Sequence, residues 1–343
     1  MSAASFDGWS PVRVFRDPGD GWIVEWCRLG EERFSDPFFA QTIDRALQRP
    51  FNQTFRRRTR LETLGEALGG AAALRPAGLI FHMSRCGSTL VAQTLAALSG
   101  SVVVSEAEPV DDVLGAQRHD PAATGEWRAE RLRWIVTALG RSVPGDPRRF
   151  VLKLDSWHTL DLPLIRHAFP GVPSIVLYRD PVEVLVSHER EPGWMMQLGM
   201  AERLLGVTPD EAVTLPQAEY RARILERFLL AMLGDDDPAC RLVNYAELPG
   251  AAVESIPRLF GIDLGSDDRR MMAEAVRRDA KHPYQQHTPD AEEKQRRAGT
   301  AIRAAAAARL LPVYRALEAR RQQQQQQPVP LSGRPQKPET TIP

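Results

Sequence analysis

The chain is short of cysteine, lysine and long apolar runs, and each shortage excludes something. Its three cysteines, Cys27, Cys86 and Cys240, are scattered with no CxxC spacing, so neither a disulfide framework nor a zinc site fits. A reducing, cytoplasmic setting is the expectation. No apolar run approaches the ~18 residues that a membrane span requires. No basic segment followed by an apolar stretch opens the chain, so no secretory leader is expected. Net charge is absent as well: 44 basic residues balance 44 acidic ones. That balance excludes a bulk polyanion surface, and nucleic acid is not an expected partner, but a local basic pocket remains open. Among the basic residues only Lys153, Lys281, Lys294 and Lys337 are lysine, and Lys153 lies inside an apolar strand pattern.

What is present suits a buried core. The 343 residues are 43% hydrophobic, and at ~150 residues per domain they allow one large α/β domain with an appendage or two smaller domains. Residues 1–75 mix strand-like pieces with turns and read as a small N-terminal extension. Within it, Arg56-Arg57-Arg58 and Arg60 read as a solvated face. From residue 76 the pattern alternates between strands and helices. Short apolar runs at Gly78–Met83, Val102–Val104, Phe150–Leu154, Ser174–Tyr178 and Arg241–Tyr245 are strands. Helical spacing follows Leu90, Trp127 and Leu160, and a long amphipathic helix covers 216–233. Asp180-Pro181-Val182-Glu183 is a helix start, with Asp at the cap and Pro at the first position. The expected fold is an α/β, P-loop-like parallel sheet with helices on both faces, spanning residues 76–321. Ligand residues then belong just after the strands. Residues 322–343, six glutamines and a Pro-rich stretch, read as a disordered tail.

Two strand-to-helix junctions carry the candidate chemistry. In the first, Ser84-Arg85-Cys86-Gly87-Ser88-Thr89 joins a buried strand to a helix. A glycine there lets backbone N–H groups approach an anion, and the helix N-terminus adds partial positive charge. Ser88 and Thr89 offer hydroxyls, and Arg85 offers a fork suited to phosphate. The segment is not a Walker loop: Gly87 is followed by Ser88 rather than Lys, and position 82 is His rather than Gly. In the second, Arg179 stands at a strand end and Ser187 about two turns into the next helix, so both can face one cleft. Two anion grips after two strands of one sheet suit a nucleotide with phosphates at both ends of its ribose.

With these residues in place a resemblance emerges. Phe81-His82-Met83-Ser84-Arg85-Cys86-Gly87-Ser88-Thr89-Leu90 resembles the 5′-phosphosulfate loop of the sulfotransferases that use 3′-phosphoadenosine 5′-phosphosulfate (PAPS). Arg179 to Ser187 resembles their 3′-phosphate motif. The lysine-bearing strand Phe150–Asp155 and the segment Asn244-Tyr245-Ala246-Glu247-Leu248 add to the likeness, which covers roughly residues 78–300. It implies a PAPS donor, metal-free transfer and a small-molecule, lipid or glycan acceptor presenting a hydroxyl or amine. It also implies that Arg85 takes the loop-lysine role and that Lys153 matches a strand lysine. The family's C-terminal phosphate loop has only Arg296-Arg297-Ala298-Gly299 as a counterpart.

Sulfuryl transfer needs a base for the acceptor proton, a cation for the leaving oxygen and in-line alignment. Arg85 and Lys153 are the candidate cations. The base is open between Asp155, which shares a strand face with Lys153, and Glu106 or Glu108 after the second strand. His158 and His188 read as satisfied histidines and Cys86 as a packing residue. Trp157, Trp194, Met195 and Met196 line an apolar acceptor pocket or pack as core. Two further readings stand beside the transferase: a P-loop-type kinase for a small metabolite, and a nucleotide-binding module without catalysis.

Overall fold

A computed structural model describes residues 6–69, 74–143, 145–280 and 290–326. Its centre is a five-stranded, wholly parallel sheet built from β4 (Gly78–His82), β5 (Val102–Ser105), β6 (Phe150–Lys153), β7 (Ser174–Tyr178) and β8 (Cys240–Asn244), in the order β5-β6-β4-β7-β8. Every residue of β4, β5, β6 and β7 is buried. Side chains of a strand alternate between faces, so burial of all of them means that both faces are covered, as the continuous apolar runs imply. Gly78 at the start of β4 is dictated by contact: a Cβ there would fall 2.4 Å from the ring of Phe260.

The crossovers are helical. Ser88–Ala96 links β4 to β5, Gly125–Arg141 lies between β5 and β6, Leu162–Ala168 between β6 and β7, and Pro181–Arg190 and Gln217–Gly234 between β7 and β8. The Asp180 carboxylate accepts the N–H groups of Val182 (2.9 Å) and Glu183 (3.3 Å), the cap that the sequence pattern anticipates. From the central strand β4 the chain first goes outward to β5 and β6, then crosses to β7 and β8 on the other side. That reversal of order opens a crevice at the carboxyl ends of the strands.

Residues 9–60 supply an antiparallel sheet of β1 (Trp9–Asp17), β2 (Gly21–Arg28) and β3 (Arg57–Arg60). It is docked by Trp22 against Trp127 (5.1 Å between rings) and by the Val14 N–H donating to Asp112 (2.7 Å). The arginine run is an edge strand rather than a uniformly solvated face. Arg58 and Arg60 are exposed, but Arg57 is half-buried, 4.5 Å from the ring centre of Phe6 and 5.0 Å from that of Trp9.

A second correction concerns the tail. The final helix continues through Gln326, past the expected boundary at 322. Gln324 explains it. Its carboxamide accepts from the Leu242 N–H (2.9 Å) and donates to the Cys240 carbonyl (3.1 Å), pairing with β8 as a neighbouring peptide would. Residues 327–343 lie outside the described residues. No helix among the described residues is long and apolar enough to cross a membrane.

Candidate active site

The loop after β4 is built from left-handed backbone. Ser84, Arg85 and Gly87 have φ of 76°, 52° and 85°. Left-handed residues occur in the turns that form anion-binding concavities; the Ser84 N–H itself is taken by His82 (3.1 Å). Gly87 is required twice: by its φ, and because a Cβ would lie 2.6 Å from Leu248 and 2.9 Å from the Tyr245 ring. The helix Ser88–Ala96 starts at once, no side chain caps it, and Ser88 and Thr89 are buried in its first turn.

His82, given no role of its own by the sequence, holds this loop. Its Nδ1 accepts the Ser84 N–H (3.1 Å), which leaves Nε2–H to donate to the Leu154 carbonyl (2.9 Å) with Glu106 at 3.3 Å. Burial lowers its pKa, keeping the ring neutral. Cys86 donates to the Leu177 carbonyl, and burial pushes its thiol up to about 11, so it packs rather than reacts. Arg85 turns away from the expected role: its guanidinium is held by Glu191, 3.1 Å from the carboxylate and 2.7 Å from the carbonyl.

On the β5–β6 side, Lys153 is 1% exposed. Its ammonium forms an ion pair with Glu106 and lies 5.2 Å from the ring centre of Phe38. Glu106 is aimed there by a φ of 56°, rare outside glycine and paid for by the contact it makes. Burial alone would raise the Glu106 carboxyl, but Lys153 and His82 hold it well below the usual carboxylate range. Glu108 is exposed at the start of the next helix, in the field of Asp44 and Arg13, and is not part of this pair.

Asp155 is buried one residue beyond Leu154. Burial pushes its carboxyl up to about 7, with Glu106 and Asp111 adding to the effect and His158 and Lys153 opposing it. His158 is fully partnered: Nδ1 accepts the Asp155 N–H (3.2 Å) and Nε2 meets Asp111 (2.9 Å), which also accepts from Trp157 (2.6 Å). His188 accepts the Gly193 N–H, a structural contact. Trp157 packs at 5.6 Å and a 49° tilt against Trp194, which is exposed, while Met196 is buried.

On the β7–β8 side, Arg179 is buried under the ring of Tyr245, 3.8 Å from its centre. Its Nε lies 2.6 Å from Glu183 and its Nη2 2.5 Å from Asp290, whose other oxygen is 2.6 Å from Lys294. The Ser187 hydroxyl donates to the Glu183 carbonyl of its own helix (3.0 Å). A cavity of about 340 Å³ opens beside Arg179, lined also by Tyr245, Leu248, Ala291 and Tyr314. Tyr245 touches both Arg179 and the space over Gly87, so one ring joins the two junctions. Arg296 and Arg297 are exposed, and Arg297 pairs with Glu293; Lys294 and Asp290 reach Arg179 instead.

No protein-family model and no curated protein matches the chain. Three solved structures similar to it are all sulfotransferases. One is the sulfotransferase domain from the curacin biosynthetic pathway, at 13% identity and TM-score 0.43, covering 69% of this chain and 98% of that one. Another is sulfotransferase STF9 from Mycobacterium avium, at 15% and 0.43, covering 79% and 83%. The third is the sulfotransferase domain from the Synechococcus PCC 7002 olefin synthase, at 16% and 0.38, covering 71% and 94%. The chemical reading rests on the site itself. The carboxyl edge of the sheet aligns, from β5 to β8, a cation–acid pair, an acid near neutrality, a left-handed glycine loop and a buried arginine. The sequence did not reveal Phe38, Asp290 or Lys294 as members of this row, and it assigned His82 and Tyr245 no role beyond their place in the resembling segments.

Proposed function

We propose that the chain transfers a sulfuryl group from PAPS to a hydroxyl or amine of a small-molecule, lipid or glycan acceptor. The observation that carries this reading is the Lys153–Glu106 ion pair set beside a left-handed glycine loop that has no Walker lysine. The donor's phosphosulfate would bind at the loop, against the uncapped first turn of the helix Ser88–Ala96. At the other grip, Arg179 already neutralises Glu183 and Asp290.

In this reading Asp155 accepts the acceptor's proton, because a base near neutrality combines availability with driving force. The acceptor oxygen forms a bond to sulfur while the bond from sulfur to the phosphate oxygen breaks. Lys153 stabilises the negative charge left on that phosphate oxygen, and Glu106 orients Lys153. Lys153 is the better-placed of the two candidate cations, since Arg85 is held by Glu191. The Trp157–Trp194 pair gives the acceptor an apolar wall.

Calorimetry with adenosine 3′,5′-bisphosphate, against ADP with Mg²⁺, tests the donor. A clear preference for the bisphosphate that is abolished in Arg179→Ala supports the reading. A preference for ADP–Mg²⁺ transfers it to a kinase, and binding of neither removes it. Binding without transfer of labelled sulfate to any of a broad acceptor panel would identify the non-catalytic module.

A further inference from the structure

The Arg179 cluster has an unusual charge arrangement. Two cations from different parts of the chain, Arg179 at the end of β7 and Lys294 on the helix Ala291–Arg297, converge on the two oxygens of a single carboxylate, Asp290, at 2.5 and 2.6 Å. Two oxygens of one anion, each on its own cation, is how a phosphate is held.

The two acids that touch Arg179 are not equivalent. The Glu183 side chain is 10% exposed and sits on the same helix that Asp180 caps. The Asp290 side chain is 38% exposed, against 4% for Arg179. Removing Glu183 would bare a buried charge, whereas Asp290 is the more exposed of the two acids and Arg179 keeps Glu183 when Asp290 leaves. The cavity of about 340 Å³ lies against Arg179 and Ala291, so a ligand group can arrive where Asp290 now sits.

We propose that Arg179 and Lys294 form one anion-binding pair, and that Asp290 is the chain's own occupant of it, displaced when the phosphate of a nucleotide binds. This rests on the reading of Arg179 as a phosphate grip. Asp290 then acts as an internal competitor. It keeps two cations neutralised in the free protein and lowers the apparent affinity for the ligand by the fraction of time it occupies the pair. Lys294 becomes a binding residue, and selectivity for a second phosphate follows, because only a ligand that supplies one can replace the carboxylate.

The test uses the full chain with Asp290→Asn, Asp290→Ser and Lys294→Met, and three probes: adenosine 3′,5′-bisphosphate, adenosine 5′-monophosphate and inorganic phosphate. Binding is read by calorimetry and folding by circular dichroism. Either Asp290 variant should tighten the bisphosphate about tenfold and change the monophosphate less than about twofold. Lys294→Met should loosen the bisphosphate about tenfold. Unchanged or weaker bisphosphate binding in both folded Asp290 variants, in a protein whose wild type binds it, overturns this inference and leaves the donor reading intact. If no variant binds the bisphosphate but the Asp290 variants gain affinity for inorganic phosphate, the anion pair stands and the donor reading falls. If no form binds any probe, both fall.

Discussion

The two halves of the sheet's carboxyl edge solve the same electrostatic problem in different ways. At the β5–β6 end, Lys153 is neutralised by Glu106, and both leave from adjacent strand ends. At the β7–β8 end, Arg179 is neutralised partly by Asp290, a residue 111 positions later in the chain. A pair between adjacent strands is set by the ladder and has little freedom to open. A pair made by a distant, exposed side chain can open without disturbing the sheet. The first arrangement suits a group that must be held still during chemistry, and the second suits one that must admit and release a ligand.

Five measurements sharpen or break that contrast. The largest effect is expected from Asp155→Asn, which should lower turnover by roughly 10²–10⁴ while leaving KM nearly unchanged. In the wild type, kcat/KM should fall as pH drops below about 7, since the base must be unprotonated. Stability carries the opposite sign. Asp155 has a folded pKa raised from 3.8 to about 7, so its contribution to stability declines as pH rises through that window, and Asp155→Asn should flatten the decline in thermal melts. Full activity in Asp155→Asn would shift the base to Glu106.

Lys153→Met comes next. It should cost roughly 10²–10³ in rate. It should also lower the stability measured in urea by about 2–3 kcal/mol, below the usual cost of splitting a buried pair because part of Glu106 faces solvent. Intact stability would mean that the pair is not held as the geometry indicates. Arg179→Ala should weaken adenosine 3′,5′-bisphosphate by roughly 10- to 100-fold and should also lower the melting temperature, because it leaves the buried Glu183 carboxylate without its cation. Asp290→Asn, which removes only the more exposed partner, should lower the melting temperature less than Lys153→Met, and equal destabilisation by those two would erase the contrast between the ends. The smallest effect belongs to Gly87→Ala, where a φ of 85° and the contact with Leu248 and Tyr245 should cost about 1–3 kcal/mol and loosen the ligand by displacing Tyr245. A variant as stable as the wild type would show that the ring is free to move.

The strands were legible because each is a short, continuously apolar run bounded by turn residues, as strands buried on both faces of a parallel sheet are, and because the runs alternate with helical patterns. The capped helix after Arg179 was legible because Asp, Pro and Glu act locally, within one turn. Of the candidate site, Lys153 stood out by its scarcity and its strand, and Gly87 by the turn that it permits. The direction of Arg85 was not legible: a guanidinium on a long stem takes the nearest carboxylate, and Glu191 lies 106 positions away. The last helix was read as ending too soon because a glutamine tract has no apolar face. What holds Gln324 is a strand edge that becomes its neighbour only after folding.

The sequence by itself determined the order of strands and helices, the two junctions and the residue types at them, since these follow from periodicity and local backbone chemistry. The tertiary structure alone decided which charges meet. It set Phe38 and Glu106 on Lys153, His82 beneath the loop, and Asp290 with Lys294 on Arg179. Coulombic and hydrogen-bond partners are chosen by proximity in space, and proximity between residues tens to hundreds of positions apart exists only once the sheet has been assembled.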